Sequence, residues 1–208
     1  MKKVLFIIKR ELKLINSKLT YILSAPFRSH TNDSFNRKRQ RISTLREQHE
    51  CVVLVETGTF YGHMVNAQRN FFDEIHSVEM FDYLAKMNKL VFNDSPNVYI
   101  HHGDSREILK FILGDIKPRL NGKGIIFWLD GHYSGPGTAG ESNRCPIMEE
   151  LNSIINAEIE LSVIIIDDIR LFDGTNDYPT LDGLLLKLRS INPSFRIRID
   201  GDSLVASL

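Results

Sequence analysis

Short apolar runs rich in β-forming residues alternate with helix-like segments from residue 51 onward. The strand-like runs lie at residues 52–56, 75–79, 97–101, 125–130 and 162–167. Helical patterns lie between them, at about residues 62–73, 81–92, 105–114 and 146–157. Apolar strands that alternate with helices are typical of a parallel sheet covered on both faces. The pattern therefore predicts an α/β fold.

The end of the chain departs from this alternation. After a helix predicted near residues 180–190, the stretch "FRIRIDGDSLVASL" predicts two strands joined by a tight turn around Asp200, Gly201 and Asp202. Five parallel strands and this antiparallel hairpin make a seven-stranded, mostly parallel Rossmann-like sheet. A chain of 208 residues has room for one well-buried domain, which we place at residues 51–208.

Residues 1–50 are interpreted as a basic helical extension. Residues 1–46 contain twelve Lys or Arg and two acidic residues, a formal charge of +10 in a chain with none overall. The first 23 residues favour a basic amphipathic helix, and residues 35–50 a second, polar helix. Two interpretations of the first segment stay open: it packs on the domain, or it docks onto an anionic membrane surface or an acidic partner.

The composition indicates a soluble, cytoplasmic protein. No segment approaches the roughly 20 apolar residues that span a bilayer. Lys9 and Arg10 interrupt the apolar run near the start, "VLFII". This run is too short for a secretory signal. Cys51 and Cys145 cannot build a disulfide framework and fit a reducing compartment.

Polar residues gather where the predicted strands end. The acids at four of the five ends are Glu56, Glu79, Asp130 and the pair Asp167 and Asp168. After the third strand, "HHGDS" supplies Asp104 and Ser105. Ligands of open α/β sheets bind at the carboxyl ends of the strands, near the point where the strand order reverses. These residues therefore predict a ligand site.

The stretch "VVLVETGTFYGHM" predicts the chemistry of that ligand. Gly58 and Gly62 allow a sharp turn, but their G-x-x-x-G spacing is not the G-x-G-x-x-G of dinucleotide sites. Glu56 would repel a pyrophosphate and would suit a sulfonium or ammonium group. Glu79, at the end of the next strand, can accept hydrogen bonds from ribose hydroxyls. A nucleoside with a cationic amino-acid tail fits this pattern.

At these residues the sequence resembles a known family. The segments that carry the resemblance are "VLVETGTFYGHMV", "SVEMF", "HHGDSREIL", "FWLDGHYSG" and "VIIIDDIRLF". In this order they resemble motifs of class I S-adenosylmethionine-dependent methyltransferases. Within that group they are most similar to metal-dependent O-methyltransferases of the catechol and macrolide-sugar types. The resemblance covers about residues 52–172.

The resemblance implies a set of cofactor-binding residues. They are Glu56, Gly58, Thr59, Gly62, Glu79, Asp104, Ser105 and Asp130. Glu79 would hold the ribose, and Asp104 and Ser105 would lie near the adenine.

The resemblance also implies that Asp130, Asp167 and Asp168 bind a divalent cation. Three carboxylates at adjacent strand ends would repel one another unless a cation lay between them, and an all-oxygen site suits Mg²⁺, with Mn²⁺ or Ca²⁺ as alternatives. Such an ion would lower the pKa of an acceptor hydroxyl. Catechol-type members carry a lysine three residues after the first metal aspartate, where this chain has Tyr133. His132 is the candidate base, and a structural role for it stays open.

We therefore expect metal-assisted O-methylation of a small-molecule or glycan acceptor, with no nucleic-acid partner. Asp130 and His132 are the candidate catalytic residues. Peripheral membrane contact through residues 1–23 and assembly into a homo-oligomer stay open. Two other functions are kept as alternatives: a nicotinamide-dependent oxidoreductase, and a non-catalytic nucleoside-binding module docked by its basic arm.

Overall fold

The computed structural model of the protein describes residues 33–131, 145–159 and 162–208. The described strands are β1 (Cys51–Thr57), β2 (Glu74–Glu79), β3 (Val98–His102), β4 (Gly124–Leu129), β5 (Ser162–Ile166), β6 (Arg196–Asp200) and β7 (Ser203–Ser207). The described helices are α1 (Phe35–Gln48), α2 (His63–Gln68), α3 (Asp82–Val91), α4 (Ser105–Ile116), α5 (Ile147–Ala157) and α6 (Leu181–Ile191). Short 3₁₀ turns follow α4 and β5, at Lys117–Arg119 and Ile169–Leu171.

The strands form one sheet in the order β3-β2-β1-β4-β5-β7-β6. Strands β1 to β5 are parallel, and β7 runs antiparallel to both β5 and β6. The predicted seven-stranded Rossmann-like sheet with its terminal hairpin is confirmed. The chain proceeds outward from β1 to β3 and then returns to β4 on the other side of β1. The strand order therefore reverses between β1 and β4, where such sheets bind ligands.

Apolar side chains fill both faces of the sheet. Every residue of β4 and β5 is buried, as expected for central parallel strands that are covered on both sides. One face packs against α4, α5 and α6, and the other against α1 and α2. The core so formed holds the carboxyl ends of β1, β4 and β5 in fixed positions.

One predicted helix is shorter than expected. The pattern predicts a helix over residues 62–73, but α2 ends at Gln68. The side-chain amide of Asn97 donates hydrogen bonds to the carbonyl oxygens of Arg69 and Phe72, at 2.8 and 2.9 Å. These bonds fix a turn after α2 in place of further helix, and Phe72 is buried in the core.

Helix α1 is anchored to the terminal hairpin by a buried ionic network. The Arg41 guanidinium pairs with Asp33 and donates to the Asp200 carbonyl oxygen at 2.6 Å and to Ser203 Oγ at 2.8 Å. Asp33 lies directly over the hairpin turn, where a Cβ on Gly201 would collide with its carboxylate. On the same helix Ile42 is fully buried. The domain boundary at residue 50 stays a prediction, but α1 shares the core with the sheet.

Among the helices that the structure describes, none combines the length and the apolar character that crossing a bilayer requires. The predicted amphipathic helix of the first 23 residues lies outside the described part of the chain. Its contact with a membrane surface stays a prediction.

Replacing Arg41 with Met should destabilise the protein. The variant removes the buried cationic partner of the Asp33 carboxylate and leaves only the exposed Arg37, 3.6 Å away. Losing one partner of a buried ion pair costs about 3–5 kcal/mol. Urea denaturation measures the free energy of unfolding. Arg39→Met, at an exposed arginine of the same helix, is the matched control and should stay near the wild-type value. Equal stability of the two variants would contradict an anchoring role for Arg41.

Candidate functional site

An open cleft lies at the carboxyl ends of β1 and β4, where the strand order reverses. Glu56 and Gly58 contribute from β1 and its loop, and Trp128 and Asp130 from the end of β4. The opposite wall comes from α1, which contributes Lys38 among other residues. Parallel strands place their carboxyl ends at one edge, and the sequence therefore gathers these polar groups around one space.

The two glycines shape the loop after β1. Gly58 has φ +85°, and a Cβ there would lie 2.5 Å from the Asp130 carbonyl oxygen. Gly62 has φ +73°, and a Cβ there would collide with Asn88 and Phe92. The glycines therefore let the loop pass directly against the chain that follows β4 and against α3.

Backbone N–H groups of this loop are bonded within the protein. Those of Gly58 and Thr59 donate to the Val78 carbonyl oxygen, at 2.9 and 3.2 Å. The Gly62 N–H donates to the Thr59 carbonyl oxygen at 2.8 Å, and the Phe60 N–H donates to Glu79 Oε2 at 2.7 Å. These four donors are therefore not presented to a phosphate.

Glu56 is a buried carboxyl group at the floor of the cleft. It accepts a hydrogen bond from Ser77 Oγ, and the Ser77 and Thr59 hydroxyl oxygens are 2.6 Å apart. Burial raises the pKa of Glu56 to about 8, the Ser77 hydrogen bond opposes the rise, and the nearby carboxylates of Asp130 and Glu79 add to it. Glu56 therefore keeps its proton at neutral pH, and a cation bound beside it would favour the carboxylate form.

Glu79 ends β2 and holds the loop in place. Its two oxygens accept the N–H groups of Phe60, at 2.7 Å, and of Phe81, at 2.8 Å. Burial raises the pKa of Glu79, and these backbone hydrogen bonds oppose the rise. A carboxylate has about four acceptor positions, so capacity for the predicted ribose contact remains.

Asp104 and Ser105 lie at the start of α4. Asp104 caps the helix by accepting the Arg106 N–H at 3.0 Å, and its carboxylate pairs with the Arg106 guanidinium. The hydrogen bond from that side chain lowers the pKa of Asp104. Neither residue lines the cleft, and their predicted contact with adenine stays a prediction.

Asp130, Asp167 and Asp168 converge, as the sequence predicts. Each offers a carboxylate oxygen, and these oxygens all lie within 4.8 Å of one another. Asp130 follows β4, and the other two follow β5, its neighbour in the sheet. The donor set by itself matches the oxygen ligands of a divalent cation.

The ammonium group of Lys38 already lies among these carboxylates. It forms an ion pair with Asp167 Oδ2 and lies 3.5 Å from Asp168 Oδ1. Burial alone would lower the pKa of Lys38, but the charges of Asp167, Asp130 and Asp168 outweigh burial and raise it. Lys38 is therefore charged, and the cluster does not fit a divalent ion while this side chain stays in place.

The wall from α1 was not predicted by the sequence. Lys38 belongs to the run "FNRKRQR", which reads as a solvated, polar helix. No spacing or periodicity links it to Asp167, which lies 129 residues further along the chain. The candidate base His132 and its neighbour Tyr133 lie outside the described residues, and the role of His132 stays a prediction.

Solved structures of methyltransferases share this fold. The O-methyltransferase from Bacillus cereus in complex with SAH aligns with a TM-score of 0.53 at 14% identity, over 93% of this chain and 90% of that one. The methyltransferase domain of bacterial CtHen1 aligns with a TM-score of 0.50 at 10% identity, over 83% of this chain and 98% of that one. Human N-acetylserotonin methyltransferase in complex with SAM aligns with a TM-score of 0.51 at 13% identity, over 84% of this chain.

The chain spans 52% of the human enzyme's length. No protein-family model and no curated protein sequence matches the chain. The predicted resemblance to class I methyltransferases is confirmed at the level of the fold.

Replacing Glu56 with Gln should change how stability depends on pH. The folded pKa of about 8 lies above the ordinary value of 4.5, so between these values the folded state holds a proton that the unfolded chain has released. Wild-type stability should therefore fall relative to the variant from about pH 5 to pH 8 and then level off, by on the order of a few kcal/mol.

Urea denaturation at several pH values measures this difference. Glu47→Gln is the control, because Glu47 is exposed and lies on α1, and its stability should run parallel to that of wild type. A difference between wild type and Glu56→Gln that stays constant with pH would show that Glu56 titrates normally.

Proposed function

We propose that the protein is an S-adenosylmethionine-dependent methyltransferase that methylates a hydroxyl oxygen of a small-molecule or sugar acceptor. The observation that carries the proposal is the chemistry of the cleft. Its floor and edge hold the carboxyl groups of Glu56 and Asp130, and Glu79 fixes its loop through the Phe60 N–H. This surface suits a nucleoside that carries positive charge.

The loop geometry favours S-adenosylmethionine over a dinucleotide. A pyrophosphate is bound by free backbone N–H groups at a helix N-terminus. Here the N–H groups of Gly58, Thr59, Phe60 and Gly62 are bonded within the protein, and α2 has only six residues. A pyrophosphate would also meet Glu56. A sulfonium or ammonium group instead favours the carboxylate form of Glu56 and can then pair with it.

The structural neighbours support the same cofactor. The human enzyme was solved with SAM and the Bacillus cereus enzyme with SAH. SAH is what remains of S-adenosylmethionine after its methyl group has been transferred. Both proteins are distant in sequence, so the likeness itself concerns the fold alone.

Different residues in and around the cleft would bind the cofactor and the acceptor. Bound S-adenosylmethionine supplies an electrophilic methyl group. Glu56, Asp130 and Glu79 would bind the cationic and ribose parts of the cofactor. The aromatic rings of Phe35 and His63, with centres 6.2 Å apart, line the cleft from α1 and α2. A ring-shaped acceptor could pack against such a wall and hold its hydroxyl near the methyl group.

The predicted metal assistance is not part of the proposed reaction. Asp130, Asp167 and Asp168 have the donor chemistry for Mg²⁺, but the Lys38 ammonium lies in the same place. No step of the proposed reaction depends on such an ion.

The cofactor proposal predicts binding of S-adenosylmethionine. Calorimetric titration should show one site of roughly micromolar affinity. Glu79→Gln should weaken binding about tenfold, because the amide lacks the charge and one acceptor oxygen. Glu74→Gln, at the other end of β2, is the matched control and should bind as wild type does. A folded wild-type protein that binds no S-adenosylmethionine contradicts the proposal, and binding of NAD instead would favour an oxidoreductase.

The reaction proposal predicts transfer of a labelled methyl group from S-adenosylmethionine to a hydroxyl acceptor. Candidate acceptors are hydroxylated aromatic compounds and sugars, and mass spectrometry identifies the methylated oxygen. Matched O-methylated compounds, whose acceptor oxygen is blocked, are the control and should gain no label. Tight cofactor binding with no transfer to any acceptor would favour the non-catalytic nucleoside-binding module.

A further inference from the structure

Lys38 reaches from α1 into the acidic cluster at the ends of β4 and β5. Its side chain is mostly buried, at 18% relative exposure, and its partner Asp167 is completely buried. The remaining oxygen of Asp167 accepts a hydrogen bond from Ser203 Oγ at 2.8 Å. Each oxygen of Asp167 therefore has a partner within the protein itself.

The position of Lys38 is fixed by its helix. Lys38 lies one turn before Arg41, so the two side chains share a face of α1. Arg41 is held by Asp33, Asp200 and Ser203. The network that anchors the helix therefore also directs the ammonium group toward the cluster.

A second cation of the protein compensates the cluster. Arg170 lies in the 3₁₀ turn after β5, and its Nη1 is 2.7 Å from Asp168 Oδ1. The same atom pairs with Asp202 in the hairpin turn. A divalent ion bound among the three aspartates would therefore have to displace the Lys38 ammonium from Asp167. It would also lie close to the positive charge of Arg170.

We propose that the ammonium group of Lys38 is the resident cation of the acidic cluster and keeps divalent metal ions out of it. This inference goes beyond the proposed function and does not require it, because it concerns occupation of the cluster whether or not a methyl group is transferred. Lys38 also lines the cleft. The cation on the α1 wall of the cleft is therefore part of the chain.

Direct metal binding tests the proposal. Mn²⁺ is titrated into the full chain without cofactor, and free Mn²⁺ is followed by electron paramagnetic resonance. Wild type should bind no Mn²⁺ at the cluster below about 1 mM, the weak end of protein sites for hard cations. Lys38→Met, which keeps an unbranched side chain without the charge, should bind one Mn²⁺ at least about tenfold more tightly than wild type.

Two further variants identify the site and the role of the charge. Lys38→Arg keeps a cation on the same helix and should exclude Mn²⁺ as wild type does. Lys38→Met combined with Asp168→Asn should lose the binding that the single variant gains. Circular dichroism establishes that each variant is folded, and Lys38→Gln replaces Lys38→Met if the latter is not.

Thermal unfolding of wild type supplies a measurement that needs no variant. An ion that binds only the folded state raises the midpoint of unfolding, so Mn²⁺ or Mg²⁺ should leave the wild-type midpoint unchanged. The proposal is overturned if wild type binds one Mn²⁺ tightly and loses it in Asp168→Asn. It is also overturned if a folded variant without the Lys38 charge binds Mn²⁺ no better than wild type.

Discussion

Compensation of negative charge at the carboxyl edge of the sheet is the constraint on which the site depends. Parallel strands deliver their acids to one edge, where burial makes each unpaired carboxylate costly. A different interaction lowers this free-energy cost for each acid. Glu56 keeps its proton, Glu79 accepts two backbone N–H groups, Asp104 pairs with Arg106, and Asp167 pairs with Lys38. A ligand can interact only with the oxygen atoms and charges of these acids that have no partner in these pairings.

The same compensation separates the two halves of the candidate site. On the side of β1 and β2 the acids are protonated or accept hydrogen bonds from backbone N–H groups. A cationic ligand bound there would therefore supply the positive charge that this part of the protein lacks. On the side of β5 the charge is already supplied by Lys38 and Arg170. A cofactor with a positive centre and an acceptor that tolerates a fixed ammonium group would therefore suit opposite sides of one cleft.

Periodicity was enough to predict the sheet, because β4 and β5 are buried throughout and almost entirely apolar and the helices between strands are regular. It also placed Glu56, Glu79, Asp130, Asp167 and Asp168 at strand ends. Hydrophobic patterns do not describe pairings between polar residues that are distant along the chain, and the contact between Lys38 and Asp167 was therefore missed. The early end of α2 was missed for a similar reason, since it depends on the side chain of Asn97.

Gly201 and Asp33 occupy adjacent space, one in the last turn of the sheet and the other just before α1. The helix that carries Lys38 is hydrogen-bonded to a hairpin that is synthesised some 160 residues later. In a nascent chain Ile42 and Leu45 of α1 can pack on the core of β1 to β5 first, but the bonds of Arg41 to the hairpin form only after β6 and β7 have emerged. Closing so long a loop is slow. Assembly of the site is therefore tied to completion of the sheet, because a chain that stops before the hairpin lacks the Arg41 partners that fix the helix of Lys38 and the Ser203 hydroxyl that bonds to Asp167.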